Sequence, residues 1–200
     1  SRFVIAPDDT PYACTCASCT AMGNTEKNAT PAVTELLLRL SQRFPKHSFF
    51  TISYLSTKQV TDKQLPSNAG IIVSAIDFPL QEKKVRQQLN QWKKVSKNIY
   101  IWDYINNFDD YLTPFPILKI AQQRLRFFKQ NGASGIFFNG SGYSYSSFDA
   151  MRTFVLSALL INPELPVEEL VRDYFNQEYP LSKKWLYDYY INLENSVQSG

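Results

Sequence analysis

Short apolar runs rich in β-branched and aromatic residues recur at residues 2–6, 48–55, 70–76, 98–103 and 134–139, and each reads as a β-strand. Helical periodicity fills the intervals between them. From Pro31 to Arg43, Val33, Leu36, Leu37 and Leu40 fall on one face, with Thr30 as N-cap and Pro31 in the first helical position. Over 81–95, Val85, Leu89 and Trp92 form one stripe. Over 116–130 the stripe is Ile117, Ile120, Ala121, Leu125 and Phe128, and Gly132 follows as a stop signal. Ser147 caps a helix predicted over 148–161, and Pro163 and Pro166 precede two more, near 167–177 and 182–195. Leu55 to Ala69 is polar, contains Pro66 and lacks a clear period, so a loop or one short turn is expected.

Strands alternating with helices imply parallel pairing through right-handed crossovers. The fold class expected is α/β: the C-terminal part of a TIM-like (β/α) barrel, with about five parallel strands plus terminal helices. A complete barrel takes about 250 residues. Residues 1–200 therefore read as a single domain, the C-terminal half of a larger barrel domain whose N-terminal half would be its partner. An open sheet, or two chains completing each other, are the alternatives.

Composition narrows the function classes. With 44% hydrophobic residues the chain can bury a substantial core. A formal charge of +3, from 21 basic and 18 acidic residues, with no basic run interleaved with aromatics, argues against nucleic acid. The charged cluster at 81–94 reads as the solvated face of a helix. No apolar run approaches the roughly 20 residues that span a bilayer, so no membrane span is expected. The chain opens on a strand rather than on a signal peptide, which says little about its compartment.

In parallel α/β folds ligands bind at the C-terminal ends of the strands. The first strand ends in Ala6-Pro7-Asp8-Asp9, two adjacent carboxylates. Glycoside hydrolysis commonly uses two acids, and like charges held close raise one pKa, which suits a general acid. Asp8 and Asp9 are thus candidate catalytic residues, although an Asp before Thr-Pro is also ordinary turn chemistry. Asp103, in Ile101-Trp102-Asp103-Tyr104, is the candidate second carboxylate; the other reading is a buried acid holding backbone amides. Asp77, after the third strand, is a weaker candidate. Flat aromatic rings suit the faces of sugars, so Tyr54, Trp102, Tyr104 and Tyr143 are candidate substrate contacts, with Asn139 at the end of the fifth strand. Gly140 to Tyr145 lacks the features of a phosphate loop and reads as a carbohydrate-facing or plain surface loop. His47 precedes the second strand, at the opposite end.

Cys14, Cys16 and Cys19 form C-x-C-x2-C and are the only cysteines. A disulfide or free structural thiols rank ahead of a metal knuckle here, because the sole histidine, His47, is remote in sequence. No adjacent histidine activates a catalytic cysteine. No cofactor is expected.

The succession Ala6-Pro7-Asp8-Asp9, the cysteine loop, Ile52-Ser53-Tyr54, Ile101 to Phe108, Gly132 to Phe137 and Leu159-Leu160-Ile161-Asn162-Pro163 resembles bacterial domain-of-unknown-function family 4838. That family is common in polysaccharide-utilisation proteins of gut bacteria. The resemblance implies a TIM-like barrel similar to α-glucuronidases and hexosaminidases. Some relatives are endo-β-N-acetylglucosaminidases, so it also implies a polysaccharide or glycan substrate and a periplasmic, cell-surface or secreted location. The tandem Asp8-Asp9 is similar to the aspartate pair of substrate-assisted hexosaminidases, which would make Asp8 the residue that orients the N-acetyl group and Asp9 the acid. Family members often carry an acidic or amide-bearing pair after the eighth strand, where this chain has Phe138-Asn139. The function expected is glycoside hydrolysis; a non-catalytic carbohydrate-binding module on the same scaffold is the alternative, and a purely structural partner domain a third class.

Overall fold

Alternating and continuous apolar runs become strands where the pattern predicts them. The computed structural model describes residues 1–76, 82–140 and 146–198. Strands β1 (Arg2–Ile5), β2 (Ser48–Ser53), β3 (Ala69–Ser74), β4 (Ile99–Tyr104) and β5 (Gly135–Asn139) form one sheet in sequence order. The strands are parallel, and the α/β architecture agrees with a partial TIM-like barrel. The helices among the described residues are α1 (Ala17–Ala21), α2 (Thr30–Arg43), α3 (Glu82–Trp92), α4 (Leu118–Gln130), α5 (Asp149–Ile161), α6 (Val167–Glu178) and α7 (Lys183–Gln198). The predicted loop after β2 contains one 3-10 turn, Leu55–Thr57. None of the described helices is long and apolar enough to cross a membrane.

Two compact units divide the chain. The first comprises Ser1–Asp103 and Asn131–Phe137. Its register aligns Phe49 with Ala69, Thr51 with Ile71 and Ser53 with Val73, then Ile71 with Ile99 and Val73 with Ile101. Side chains alternate between faces along a strand, so these residues share one face. All of them are buried, as are Leu37 of α2 and Leu89 and Trp92 of α3. Ser53 Oγ accepts hydrogen bonds from Gln88 Nε2 at 2.7 Å and Trp92 Nε1 at 3.0 Å, which identifies this face as the one α3 packs on. Gly70 leaves room for the next strand: a Cβ there would lie 2.5 Å from the Asn98 carbonyl oxygen.

The opposite face carries Val4, Phe50, Ile52, Ile72, Ser74, Tyr100 and Trp102, in step by the same register. It is less covered. Val4, Ile76 and Phe137 are each 52% exposed, and most of the others are half-buried. Rings meet edge to face along it, Phe50 with Tyr100 at 5.3 Å and Trp102 with Phe137 at 4.8 Å between centroids.

The second unit comprises Tyr104–Gln130 and Phe138–Gly200. Phe148 packs against the rings of Phe175 and Tyr190, and Met151, Val155, Leu159, Val171 and Ile191 are among the buried apolar residues of this unit. The C-terminal aromatics divide: Tyr190 and Phe175 are buried, while Trp185, Tyr189 and Tyr179 are exposed. Glu194 of α7 is buried and accepts from the Leu118 and Lys119 amides and from the Tyr190 hydroxyl, at 2.9, 3.1 and 2.9 Å. Those amides begin α4 and have no partner within their own helix. Burial, and then the neighbouring Glu194 carboxylate, pushes the Tyr190 phenol far above its usual range.

Two boundaries shift for local reasons. Helix α2 begins at Thr30, whose amide is capped by Asn28 Oδ1 at 3.0 Å and whose hydroxyl donates to the Gln59 carbonyl, so Ala29 takes the N-cap place predicted for Thr30. Helix α5 begins at Asp149 after Phe148, whose φ of 56° ends the preceding chain in a left-handed residue, so Ser147 lies outside the cap.

Candidate functional site

In the first unit, parallel pairing aligns the C-terminal ends of β1 to β4 along one edge. Asp8 and Asp9 follow β1 there, and both are exposed. The turn they open is closed by other groups: the Thr10 amide donates to the Asp8 carbonyl at 2.8 Å, and the Tyr12 amide to Thr10 Oγ1 at 3.3 Å. The two carboxylates are thus not needed to close it.

Tyr54 follows β2 and is half-buried. Ser74 and Trp102 are partners in register on the less covered face, near the same ends. Among the described residues neither Ser74 Oγ nor Trp102 Nε1 has a hydrogen-bond partner, although both atoms are shielded from bulk water. Asp103 differs. It is 0% exposed and shares the parity of Ile99 and Ile101 in β4, so it belongs to the buried, helix-packed face, opposite to Trp102. Asp77 and Tyr143 lie outside the described residues.

In the second unit, Tyr104 ends β4 and meets the Phe108 ring at 5.8 Å. The Ile105 amide donates to the Asn139 carbonyl at 3.1 Å, fixing Asn139 beside this segment. Two buried arginines that sequence reasoning did not single out hold the same backbone. Arg124 Nη1 donates to the Tyr104 carbonyl at 3.3 Å, and Arg152 Nη2 to the Ile105 carbonyl at 2.6 Å and to Asn106 Oδ1. Burial lowers the Arg152 pKa from its ordinary value. The signal available was a cation inside an apolar helical stripe, which only the fold could have paired with a carbonyl.

The cysteine segment is more ordered than its composition suggests. Cys16 precedes α1, a five-residue helix, and the Sγ atoms of Cys14, Cys16 and Cys19 all lie within 4.8 Å of one another. All three are free, and Cys14 and Cys16 are exposed. Hydrogen bonds from the Cys19 amide and from the Cys14 and Cys19 thiols lower the Cys16 pKa to about 7. The same network raises Cys19 to about 11, its interaction with Cys16 being the largest cause.

Residues 1–190 match the sequence model of a family described as Domain of unknown function (DUF4838). The chain belongs to that family. No curated protein and no solved structure matches this DUF4838 chain. Two surface cavities, of about 820 Å³ around Leu55, Lys58 and Gln91 in the first unit and about 360 Å³ around Lys119, Arg126 and Arg172 in the second, include none of the predicted site residues. The predicted site residues of this DUF4838 chain that are described lie instead at the strand ends.

Proposed function

We propose that this DUF4838 chain is a carbohydrate-active barrel domain of the glycoside hydrolase type, acting on a glycan that contains N-acetylhexosamine, outside the cytoplasm. One observation carries the reading. At the strand ends of the less covered face, Trp102 and Ser74 are register partners whose indole N–H and hydroxyl have no hydrogen-bond partner among the described residues, next to an exposed Phe137 ring. A shielded donor left unpaired costs about 1–3 kcal/mol unless a ligand or water satisfies it. A pyranose offers what this surface lacks: hydroxyls at its edge, and an apolar C–H face for the rings.

The chemistry then rests on Asp8 and Asp9. Paired-acid glycosidases hold their carboxyls about 5–9.5 Å apart across the scissile bond. Asp103 suits that role poorly, being buried on the opposite face and three strands from β1, about 14 Å along a sheet. The exposed tandem suits substrate assistance. Asp8 orients the acetamido group, whose oxygen attacks the anomeric carbon while Asp9 gives its proton to the departing glycosidic oxygen. Water then opens the cyclic intermediate. Tyr54 and Trp102, both in the first unit, are the proposed sugar contacts. Asp9→Asn, in this chain and in any longer protein that carries it, is expected to lower turnover of N-acetylhexosamine glycans by about 10²–10⁴-fold with glycan affinity retained. Unchanged turnover removes Asp9 from the mechanism.

The burial of Asp103 also favours a second reading, a binding module without hydrolysis. Saturable glycan binding with no released product, across substrates that the intact protein binds, selects that reading.

A further inference from the structure

The geometry points to a site for a single thiophilic metal ion, of the Zn2+ class, held by the thiolates of Cys14, Cys16 and Cys19. Nothing in this inference depends on the carbohydrate reading. Its basis is the convergence of three sulfurs within 4.8 Å from a segment of six residues. Tetrahedral zinc with Zn–S bonds of about 2.3 Å sets its sulfurs roughly 3.8 Å apart, so closing onto an ion requires about an ångström of movement. A disulfide would use two of the sulfurs and leave the third beside them; a metal ion uses all three.

The surrounding hydrogen bonds hold the loop in this form. Asn24 is buried, and its Nδ2 donates to the Cys14 carbonyl at 3.1 Å while its own amide donates to the Cys19 carbonyl at 3.0 Å. Its Oδ1 accepts from the Ala32 amide of α2 at 3.0 Å, which ties the loop to a fourteen-residue helix. One asparagine thus clamps both ends of the cysteine triad. The Cys19 and Ser18 amides donate to Cys16 Sγ, the outer-shell support that orients a thiolate ligand. Gly23, with φ of 103°, supplies the left-handed residue that ends the turn after α1.

Each thiol that binds gives up its proton to solvent, and the ion exchanges solvent ligands for sulfur. Three protein ligands leave the fourth tetrahedral position to water or to an incoming donor. The exposure of Cys14 and Cys16 gives an ion direct entry.

The test is a titration of the reduced, metal-free chain with Co2+, followed by displacement with Zn2+. Expected are one Co2+ per chain, sulfur-to-cobalt charge-transfer absorption and the intense visible bands of tetrahedral Co2+, all removed by one equivalent of Zn2+. Replacing any one of the three cysteines by serine should weaken Zn2+ at least about tenfold. Weak octahedral bands, or the same spectrum from the triple variant C14S/C16S/C19S, would overturn the site. Because that variant could lose its fold, the wild-type chain is also labelled with maleimide and its intact mass measured. Protection of all three thiols by Zn2+ supports the site; equal labelling with and without Zn2+ overturns it.

Discussion

At the residue scale, side-chain parity decides which acids can act. In β4 the sequence Ile99-Tyr100-Ile101-Trp102-Asp103-Tyr104 alternates strictly, so Asp103 goes with the two isoleucines and Trp102 with the two tyrosines. That parity was legible in the sequence. Which face the helices would cover was not, because both faces carry large apolar side chains. The consequence is a separation of effects. Asp103→Asn should cost about 1–3 kcal/mol in urea unfolding, as the loss of a buried, partnered carboxyl group does, and leave glycan affinity unchanged. A variant with wild-type stability and lost glycan affinity would return Asp103 to the site. The cysteines give a second residue-scale expectation, for the reduced, metal-free chain. A thiol lowered to about 7 is mostly thiolate above neutrality, whereas one raised to about 11 is not. Iodoacetamide should modify Cys16 first, with a rate that rises through about pH 7 and then levels. Cys19 should stay slow until well above pH 9. Peptide mapping across pH 5–10 reads both, and equal rates would refute the assigned network.

At the scale of elements, periodic segments were recovered, and α1, a helix without a period, was missed. Helices α2, α3 and α4 carry apolar stripes that a 3.6-residue period reveals, and they occur where the stripes predict. Helix α1 has no buried residue and hence no stripe to detect; backbone hydrogen bonds and the Asn24 clamp hold its segment instead. Leu36, counted on the packing face of α2, is exposed, because Leu37 and Thr34 take the innermost positions. The most consequential link between elements was invisible to local pattern. Glu194 satisfies the first two amides of α4 from 75 or more residues away in sequence. Glu194→Ala should therefore destabilise the second unit by roughly 3 kcal/mol, since two helix amides and the Tyr190 hydroxyl lose their acceptor. Glu194→Gln keeps an acceptor and should cost less. Equal costs in thermal unfolding would show that shape, not hydrogen bonding, sets the position.

For the molecule as a whole, the parallel order β1 to β5 gives the α/β architecture of a partial TIM-like barrel, and the chain belongs to the DUF4838 family. Burial is asymmetric between the two faces of the sheet: one is closed by α2 and α3, the other exposes Val4, Ile76 and Phe137 and carries Trp102 Nε1 and Ser74 Oγ, which have no hydrogen-bond partner among the described residues. In a barrel the less covered face is the one that turns inward, and its C-terminal end is where chemistry is done. This end is expected to bind sugar. Calorimetric titration of the chain with N-acetylglucosamine oligosaccharides, repeated with Trp102→Ala and with Trp185→Ala as an exposed-tryptophan control, tests it directly. Saturable binding is expected, weakened at least about tenfold by the Trp102 change and untouched by the Trp185 change. Binding that survives Trp102→Ala at full strength would rule out Trp102 as a sugar contact.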